Sequence, residues 1–81
     1  MFYAYILQST SVPSQLYRGY TTDLKQRLRD HNAGRCPHTS QYMPWKVKFY
    51  AAFETLELAQ HFEAHLKSGS GHEFAKRHCG L

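Results

Sequence analysis

The sequence predicts an α+β fold in which helices pack on a small sheet, with the elements in the order ββαβαα. Two observations support this prediction. Three short segments rich in aromatic and aliphatic residues alternate with period two, as strands do. Two other segments carry apolar residues four apart behind a threonine that suits a helix N-cap. The chain has 81 residues, 42% of them apolar, so we expect one domain over residues 1–81 with a modest core.

The strands are predicted at residues 2–7, 16–21 and 45–53. Residues 8–15 contain serine, threonine and proline without periodicity, so we interpret them as a hairpin loop that makes the first two strands antiparallel. Alternation in the third strand predicts one face with Trp45, Val47 and Phe49, opposite Lys46, Lys48 and Tyr50.

The helices are predicted from caps and apolar stripes. The first covers residues 23–33, with Thr22 as N-cap, Asp23 in the first turn, and a buried stripe of Leu24 and Leu28. The second covers residues 56–67 behind Thr55. Its stripe is expected to consist of Leu58, Ala59, Phe62 and Leu66. The Ser-Gly-Ser-Gly run at 68–71 indicates a turn before a short helix at about 73–78, and residues 35–44 indicate a loop.

Charge and cysteine content restrict the function classes. Ten lysines and arginines against six acidic residues give a net charge of +4, which favours an anionic partner, nucleic acid ahead of a membrane surface. A basic domain without such a partner is the alternative on charge alone. No segment approaches the roughly 20 apolar residues of a transmembrane helix, and no signal peptide is visible. Cys36 and Cys79 have no CxxC spacing, so we expect a reducing, cytoplasmic setting.

Two tyrosines and a pair of basic residues are candidates for chemistry. Tyr5 and Tyr17 are expected on one side of neighbouring strands, directly across from each other. They either only pack together or place a phenol beside a cation as a proton donor or acceptor. Arg27 and His31 are four apart on one helix face. The guanidinium is either solvated or a planar fork of donors for a phosphate.

Glu63 borders the apolar stripe of the second helix, where a carboxylate is costly unless it is paired. Either it forms a salt bridge with Lys67, four residues on, or it is the single protein ligand of a cation such as Mg²⁺. His61 and His65 share one helix face, but no pair of cysteines accompanies them, so zinc is the weaker interpretation.

Together these residues resemble the GIY-YIG nuclease domain in its small stand-alone bacterial form. The resemblance extends over residues 2–78. Its signature is found in Tyr3-Ala4-Tyr5, Tyr17-Arg18-Gly19, Thr22-Asp23-Leu24, Arg27-Leu28, His31-Asn32, Gly34 and Glu63. Each motif is weak alone, and their order and spacing together are fairly specific. The resemblance implies a central three-stranded antiparallel sheet flanked by helices.

The resemblance also implies roles for five residues in catalysis. Tyr5 and Tyr17 match the motif tyrosines, and Tyr17 is the candidate to help deprotonate the attacking water. Arg27 matches the arginine that stabilises charge on the phosphoryl oxygens. His31 matches a histidine that acts as a general base or contacts the phosphate. Glu63 matches the glutamate that binds Mg²⁺ or Mn²⁺. We expect all five to converge on one concave surface, with Glu63 on the same side of the sheet as Tyr17.

The chain departs from the family pattern at three positions. Tyr3 replaces a glycine, Arg18 replaces an aliphatic residue, and Tyr20 stands where DNA-repair members often carry a lysine. Losing that lysine removes one cation from the site. Gly19 matches the motif glycine, which lets backbone or substrate come close.

The function implied is a metal-dependent endonuclease on DNA, structure-selective in repair or processing, with no organic cofactor and no membrane partner. We expect the DNA contacts to include Arg18, Gly19, Arg35, His38 and Thr39. The alternatives are a nucleic-acid-binding module with weak or no cleavage, and a small partner-binding domain with a residual site. The sequence leaves the oligomeric state open.

Overall fold

A computed structural model describes all 81 residues of the chain. The three strands are β1 (Phe2–Ser9), β2 (Leu16–Thr21) and β3 (Trp45–Phe53), and the helices are α1 (Leu24–Asn32), α2 (Pro37–Ser40), α3 (Leu56–Leu66) and α4 (Gly69–His78). The sheet has the order β2-β1-β3 and is antiparallel throughout. The predicted α+β class and element order are confirmed. The short helix α2 is an addition within the segment that was expected to be a loop.

The central strand β1 supplies the core to both faces of the sheet. Ala4 and Ile6 are completely buried on one side with Leu66 of α3, and α4 completes this cluster. Tyr5 and Leu7 are completely buried on the other side, where α1 packs. We call these sides the α3 face and the α1 face. Because side chains alternate along a strand, one central strand can hold both layers together.

A β-bulge in β3 makes part of the alternation prediction wrong. Ile6 pairs with Phe49, but the next residue, Leu7, pairs with Val47, so Lys48 is an extra residue on β3. Val47 therefore packs on the α1 face and Phe49 on the α3 face. An extra residue reverses the parity of the strand beyond it. As a result Tyr50 lies on the α1 face, opposite Tyr5.

The helix caps agree with the prediction for α3 and differ for α1. Thr55 accepts a hydrogen bond from the backbone of Leu58 and caps α3. At α1 the cap is Asp23, whose Oδ1 accepts from Gln26 N at 3.0 Å, so Thr22 was the wrong choice. Leu58 is also 51% exposed and does not belong to the buried stripe of α3, because it lies 100° round the helix from Ala59.

The predicted turn at 68–71 is wrong, because these residues begin α4. Ser68 is the N-cap and accepts from Gly71 N at 3.2 Å. A Cβ at Gly71 would collide with the backbone carbonyl of His65. The glycine therefore allows α4 to pack closely against the end of α3, and this tertiary contact outweighs the local preference of glycine for turns.

Candidate active site

A pocket of about 590 Å³ surrounds the free edge of β2, and we call it the β2-edge pocket. β2 is an edge strand because it pairs only with β1, so residues from both faces of the sheet can meet around it. The lining consists of Tyr5, Leu16, Tyr17, Arg18, Gly19, Tyr20, Thr21, Arg27, Glu63 and Lys67. Four of the five predicted catalytic residues line this pocket, and His31 does not.

The two motif tyrosines pack diagonally over Gly19. Tyr5 pairs with Gly19 and Tyr17 pairs with Leu7, so the tyrosines are not directly across from each other as expected. Their ring centroids are 6.3 Å apart on the α1 face. A Cβ at Gly19 would lie 2.7 Å from Tyr5 Oη and 3.2 Å from Tyr17 Cε1. The close approach that requires glycine here is therefore that of the two rings.

Arg27 is held at the pocket by the buried phenol of Tyr5. Its Nε donates to Tyr5 Oη at 3.3 Å. Burial raises the pKa of the Tyr5 phenol, and Arg27 only partly offsets this effect, so Tyr5 stays neutral. The hydrogen bond to Tyr5, with a smaller contribution from Tyr17, raises the pKa of the Arg27 guanidinium above its ordinary value. Since Tyr5 is 0% exposed, its contribution at the wall of the pocket is to position Arg27.

His31 lies beside Tyr17 and is completely buried. Its ring centroid is 4.6 Å from that of Tyr17, and its Nδ1 is 2.8 Å from Thr39 Oγ1. Because Thr39 Oγ1 donates to Cys36 O, Nδ1 is the donor in this pair, and the buried Nε2 is left as an acceptor without a partner. Burial, with Arg27 second, lowers the pKa of His31, so the ring is neutral at pH 7. From this position His31 contacts Tyr17 and does not line the pocket.

Glu63 enters the pocket from the α3 face. Its helix packs on the opposite side of the sheet from Tyr17, so the expectation that both lie on one side is wrong. They meet because the pocket bends around the edge of β2. Glu63 Oε2 pairs with Lys67 Nζ at 2.8 Å, which is the salt-bridge alternative of the two interpretations of Glu63.

The donor chemistry of the pocket fits a hard cation held by few protein ligands. No three histidine, cysteine or acidic residues come together anywhere in the chain. Glu63 is the one carboxylate residue that lines the pocket, and three hydroxyl-bearing residues, Tyr17, Tyr20 and Thr21, line it as well. Mg²⁺ typically takes one or two carboxylates and keeps several waters, so a single carboxylate in an open, polar pocket is compatible with it.

Arg18 and Tyr20 line the pocket on the side of the α3 face. Arg18 Nε is buried without a hydrogen-bond partner in the protein, and a buried donor without a partner is costly. Tyr20 is 41% exposed, and its hydroxyl accepts from Gln60 Nε2 at 3.1 Å. Lys67 and Thr21 were not predicted as site residues. The spacing of Lys67 to Glu63 was a signal for it, whereas Thr21 had none.

The three loop residues expected to contact DNA lie outside the pocket. Thr39 is only 2% exposed and its hydroxyl bonds to His31, so its predicted DNA contact is wrong for this structure. Arg35 is exposed but pairs with Asp30 at 2.6 Å. Hydrogen bonds from Gln26 and then Arg35 lower the pKa of the Asp30 carboxyl. His38 is exposed on α2.

Comparisons with known proteins agree with this fold. The family model described as the GIY-YIG catalytic domain matches residues 1–77. A UPF0213 protein of Streptococcus pyogenes serotype M3 is 42% identical over 66 residues, which cover 80% of this chain and 70% of the relative. A UPF0213 protein of S. pyogenes serotype M5 is 41% identical with the same coverage.

A solved structure is also similar over nearly the whole chain. The solution NMR structure of the UPF0213 protein BH0048 from Bacillus halodurans has a TM-score of 0.58 and 28% identity, covering 99% of this chain and 88% of that one. None of the helices of the present chain has the length and apolar character that spanning a bilayer requires. The match of the family model over residues 1–77 and the 42% identical relative lead to one conclusion: this chain belongs to the GIY-YIG catalytic domain family, a nuclease superfamily.

Proposed function

We propose that this protein is a divalent-metal-dependent endonuclease that hydrolyses phosphodiester bonds of DNA. The observation that supports it most is the β2-edge pocket, which brings a fixed guanidinium, a phenol and a carboxylate to one concave surface. In-line hydrolysis of a phosphodiester requires stabilisation of charge on the phosphoryl oxygens and removal of a proton from water. The pocket contains residue types suited to both tasks.

Two arginines provide the positive charge for the phosphate. Arg27 is positioned by Tyr5, so its charge is fixed before a ligand arrives, and such preorganised charge costs no reorganisation during the reaction. Arg18 lines the same pocket with a buried Nε that lacks a partner. In this proposal Arg18 supplies the cation that is lost where Tyr20 replaces the lysine common among DNA-repair relatives.

Tyr17 is proposed to accept the proton of the attacking water. Its ring is held between Tyr5 and His31, at centroid distances of 6.3 and 4.6 Å. The neutral, buried His31 then acts as a positioning residue for Tyr17. This assignment replaces the direct role of general base that the resemblance implied for the histidine.

Glu63 is proposed to hold Mg²⁺ or Mn²⁺. When bound there, the cation supplies Lewis-acid polarisation and neutralises charge at the phosphate. Lys67 occupies Glu63 Oε2 in the free protein and is itself 57% exposed. The carboxylate is largely shielded, with the Glu63 side chain 15% exposed, so a cation that binds there has to displace the flexible, exposed lysine.

The proposal extends to the setting of the protein. Both cysteines, Cys36 and Cys79, are free, which is compatible with a reducing cytoplasm. Within the proposal, residues 1–81 form the nuclease domain, which needs no organic cofactor and cleaves branched or damaged DNA during repair or processing.

A DNA-binding module with weak or no cleavage is the second candidate. The Glu63–Lys67 ion pair favours it, because the single carboxylate of the pocket is already neutralised in the free protein. The exposed Tyr20 in place of a lysine favours it as well. In this alternative the pocket binds a phosphate and no bond is cleaved.

Cleavage assays on defined substrates distinguish the two candidates. Single-stranded, duplex, flap and branched DNA are incubated with Mg²⁺ or Mn²⁺ and either wild type, Glu63→Gln or Glu57→Gln. Glu57 is an exposed residue in the first turn of the same helix and serves as the matched control. We expect wild type and Glu57→Gln to cleave at least one substrate and Glu63→Gln to be impaired. Binding without metal-dependent cleavage by wild type would favour the binding module.

A further inference from the structure

A second cleft of about 370 Å³ lies beside the N-terminus of α1. We call it the tyrosine cleft. Its six lining residues are Tyr3, Thr22, Asp23, Leu24, Lys25 and Tyr50. None of them belongs to the candidate active site described above. Aromatic side chains on which bases stack are one of the features of sites for single-stranded nucleic acids, and this cleft has two tyrosines.

The β-bulge at Lys48 brings the two rings of this cleft together. Tyr50 reaches the α1 face only because the bulge reverses the parity of β3. There its ring meets that of Tyr3 at a centroid distance of 6.1 Å and an interplanar angle of 61°. Tyr50 remains 55% exposed. A large aromatic side chain held against a second ring, with half its surface open, offers a face on which a planar ligand can stack.

The tyrosine cleft adjoins the β2-edge pocket. Tyr3 of the cleft pairs across the sheet with Thr21, which lines the pocket, and Thr22 of the cleft is the next residue along the chain. Neighbouring strands are roughly 4.8 Å apart, and successive nucleotides of one DNA strand rise roughly 3.4 Å. Because the two sites adjoin, a strand with one phosphate in the pocket would have a nearby nucleotide within reach of the cleft.

The charges of the tyrosine cleft favour a base over a phosphate. The carboxylate of Asp23 already caps α1 by accepting from Gln26 N, so the helix N-terminus is not free for an anion. A phosphate in the cleft would also be repelled by that carboxylate. An uncharged aromatic ring meets no such repulsion, and the exposed Lys25 at the rim is free to contact the backbone.

We propose that the tyrosine cleft binds an unpaired base next to the phosphate in the β2-edge pocket, with Tyr50 and Tyr3 as the stacking surface. This inference rests on the proposed function, because the phosphate in the pocket is its reference point. It implies that the protein prefers DNA with an unpaired or splayed nucleotide at the site, since a base in a duplex is not available for stacking.

The test compares two single strands that differ only in their bases. An oligothymidine and an abasic deoxyribose oligomer of the same length are titrated in EDTA, with binding followed by fluorescence anisotropy, for wild type, Tyr50→Ala and Tyr50→Phe. Stacking of one base typically changes affinity roughly 5- to 150-fold. We expect wild type and Tyr50→Phe to bind the oligothymidine at least about 5-fold more tightly than the abasic strand, and Tyr50→Ala to lose this preference.

Equal binding of both strands by wild type would overturn the inference, and so would a preference retained by folded Tyr50→Ala. The wild-type comparison needs no variant, so equal binding overturns the inference even if Tyr50→Ala fails to fold, whereas the loss of preference in Tyr50→Ala is what assigns the base to the cleft. Cleavage with Mg²⁺ is measured in parallel. Base-dependent binding without cleavage supports the tyrosine cleft and contradicts the nuclease proposal. Cleavage without base-dependent binding supports the nuclease proposal and contradicts the tyrosine cleft. If neither strand binds, the inference about the cleft is overturned.

Discussion

The two sides of the β2-edge pocket are built differently. On the α1 face, Tyr5, Tyr17, Arg27 and His31 form a continuous group in which Tyr5 and His31 are completely buried. On the α3 face, the charged groups are the Glu63–Lys67 ion pair, with a largely exposed lysine, and Arg18, whose Nε has no partner. The side chains on the α1 face are therefore fixed in the free protein. On the α3 face, Arg18 Nε has no hydrogen-bond partner, and Glu63 is paired with a lysine that a cation would have to displace.

This difference suggests a division of labour. Groups that stabilise developing charge work best when they are already in place, which describes Arg27. A group that recruits a cation must instead exchange its partner, and the partner of Glu63 is Lys67, a flexible lysine that is 57% exposed. The predictions below test this contrast, beginning with the largest expected effect.

Arg27→Ala should have the largest effect because it removes the fixed charge. We expect the cleavage rate at saturating Mg²⁺ to fall ~10²–10³-fold. The variant should also unfold about 1–3 kcal/mol more easily, because the buried Tyr5 hydroxyl loses its partner. Single-turnover cleavage and urea unfolding measure the two effects. Arg29→Ala, an exposed arginine on the same helix, is the control. A rate equal to wild type would mean that Arg27 does not act on the phosphate.

Gly19→Ala should disturb the fixed side through packing alone. The added Cβ would lie 2.7 Å from Tyr5 Oη and 2.9 Å from Tyr5 Cζ, so the ring must move. Overpacking of this kind typically costs about 1–3 kcal/mol, and displacing Tyr5 should also slow cleavage by shifting Arg27.

The control for this substitution is Gly69→Ala, because nothing lies within 4 Å of a Cβ at that position. Alanine in the first turn of α4 should leave the free energy of unfolding unchanged or raise it slightly. Thermal melting and cleavage of both variants give the comparison. Equal melting temperatures would contradict the packing explanation for Gly19.

The buried His31 should make stability depend on pH. The pKa of His31 is lowered in the folded protein. As the pH falls below about 6.5, the histidine therefore becomes protonated in the unfolded chain before it does so in the folded protein. The free energy of unfolding should therefore decline between pH 7 and pH 5, by at most about 1.4 kcal/mol per pH unit from this group. His31→Gln, which cannot titrate, should show a shallower decline in urea unfolding. The exposed His61→Gln is the control, and parallel declines for His31→Gln and wild type would refute the assignment.

Arg35→Ala should have the smallest effect, because Arg35 lies outside the pocket and its charge is paired with Asp30. We expect the plot of log binding constant against log salt concentration to flatten by less than the ~0.9 of one full phosphate contact. Arg18→Ala should flatten it by about that amount, since Arg18 lines the pocket. If the salt slope changes more for Arg35→Ala than for Arg18→Ala, the DNA backbone contacts the segment at residues 35–44 and not the β2-edge pocket.

Local signals in the sequence were sufficient for the strand positions and for the main helices, but they missed α2 and the first turn of α4. β2 and β3 begin and end where alternation and turn residues predicted. The motif tyrosines, Arg27 and Glu63, which line the pocket, were selected through the resemblance to the family motifs. The α3 cap at Thr55 followed from the residue type. The strands and this cap depend on residues close in sequence, whose preferences are independent of the rest of the fold.

Tertiary contacts decided what the sequence could not predict. The bulge at Lys48 depends on pairing with β1, so strict alternation placed Phe49 and Tyr50 on the wrong faces. Thr39 appeared to be a polar loop residue, but α2 buries it against His31. Glu63 reaches the pocket around a sheet edge, which no periodicity within one helix describes.

The most direct test of the division of labour is a Mg²⁺ titration of DNA cleavage by wild type, Glu63→Gln and Arg27→Ala. The Mg²⁺ concentration at half-maximal rate should rise for Glu63→Gln, with part of the lost rate restored at high Mg²⁺, because the amide is a weaker ligand than the carboxylate. For Arg27→Ala that concentration should stay near the wild-type value, while the maximal rate stays low at every Mg²⁺ concentration. If the half-maximal concentration is the same for Glu63→Gln as for wild type, Glu63 does not hold the metal and the account is contradicted.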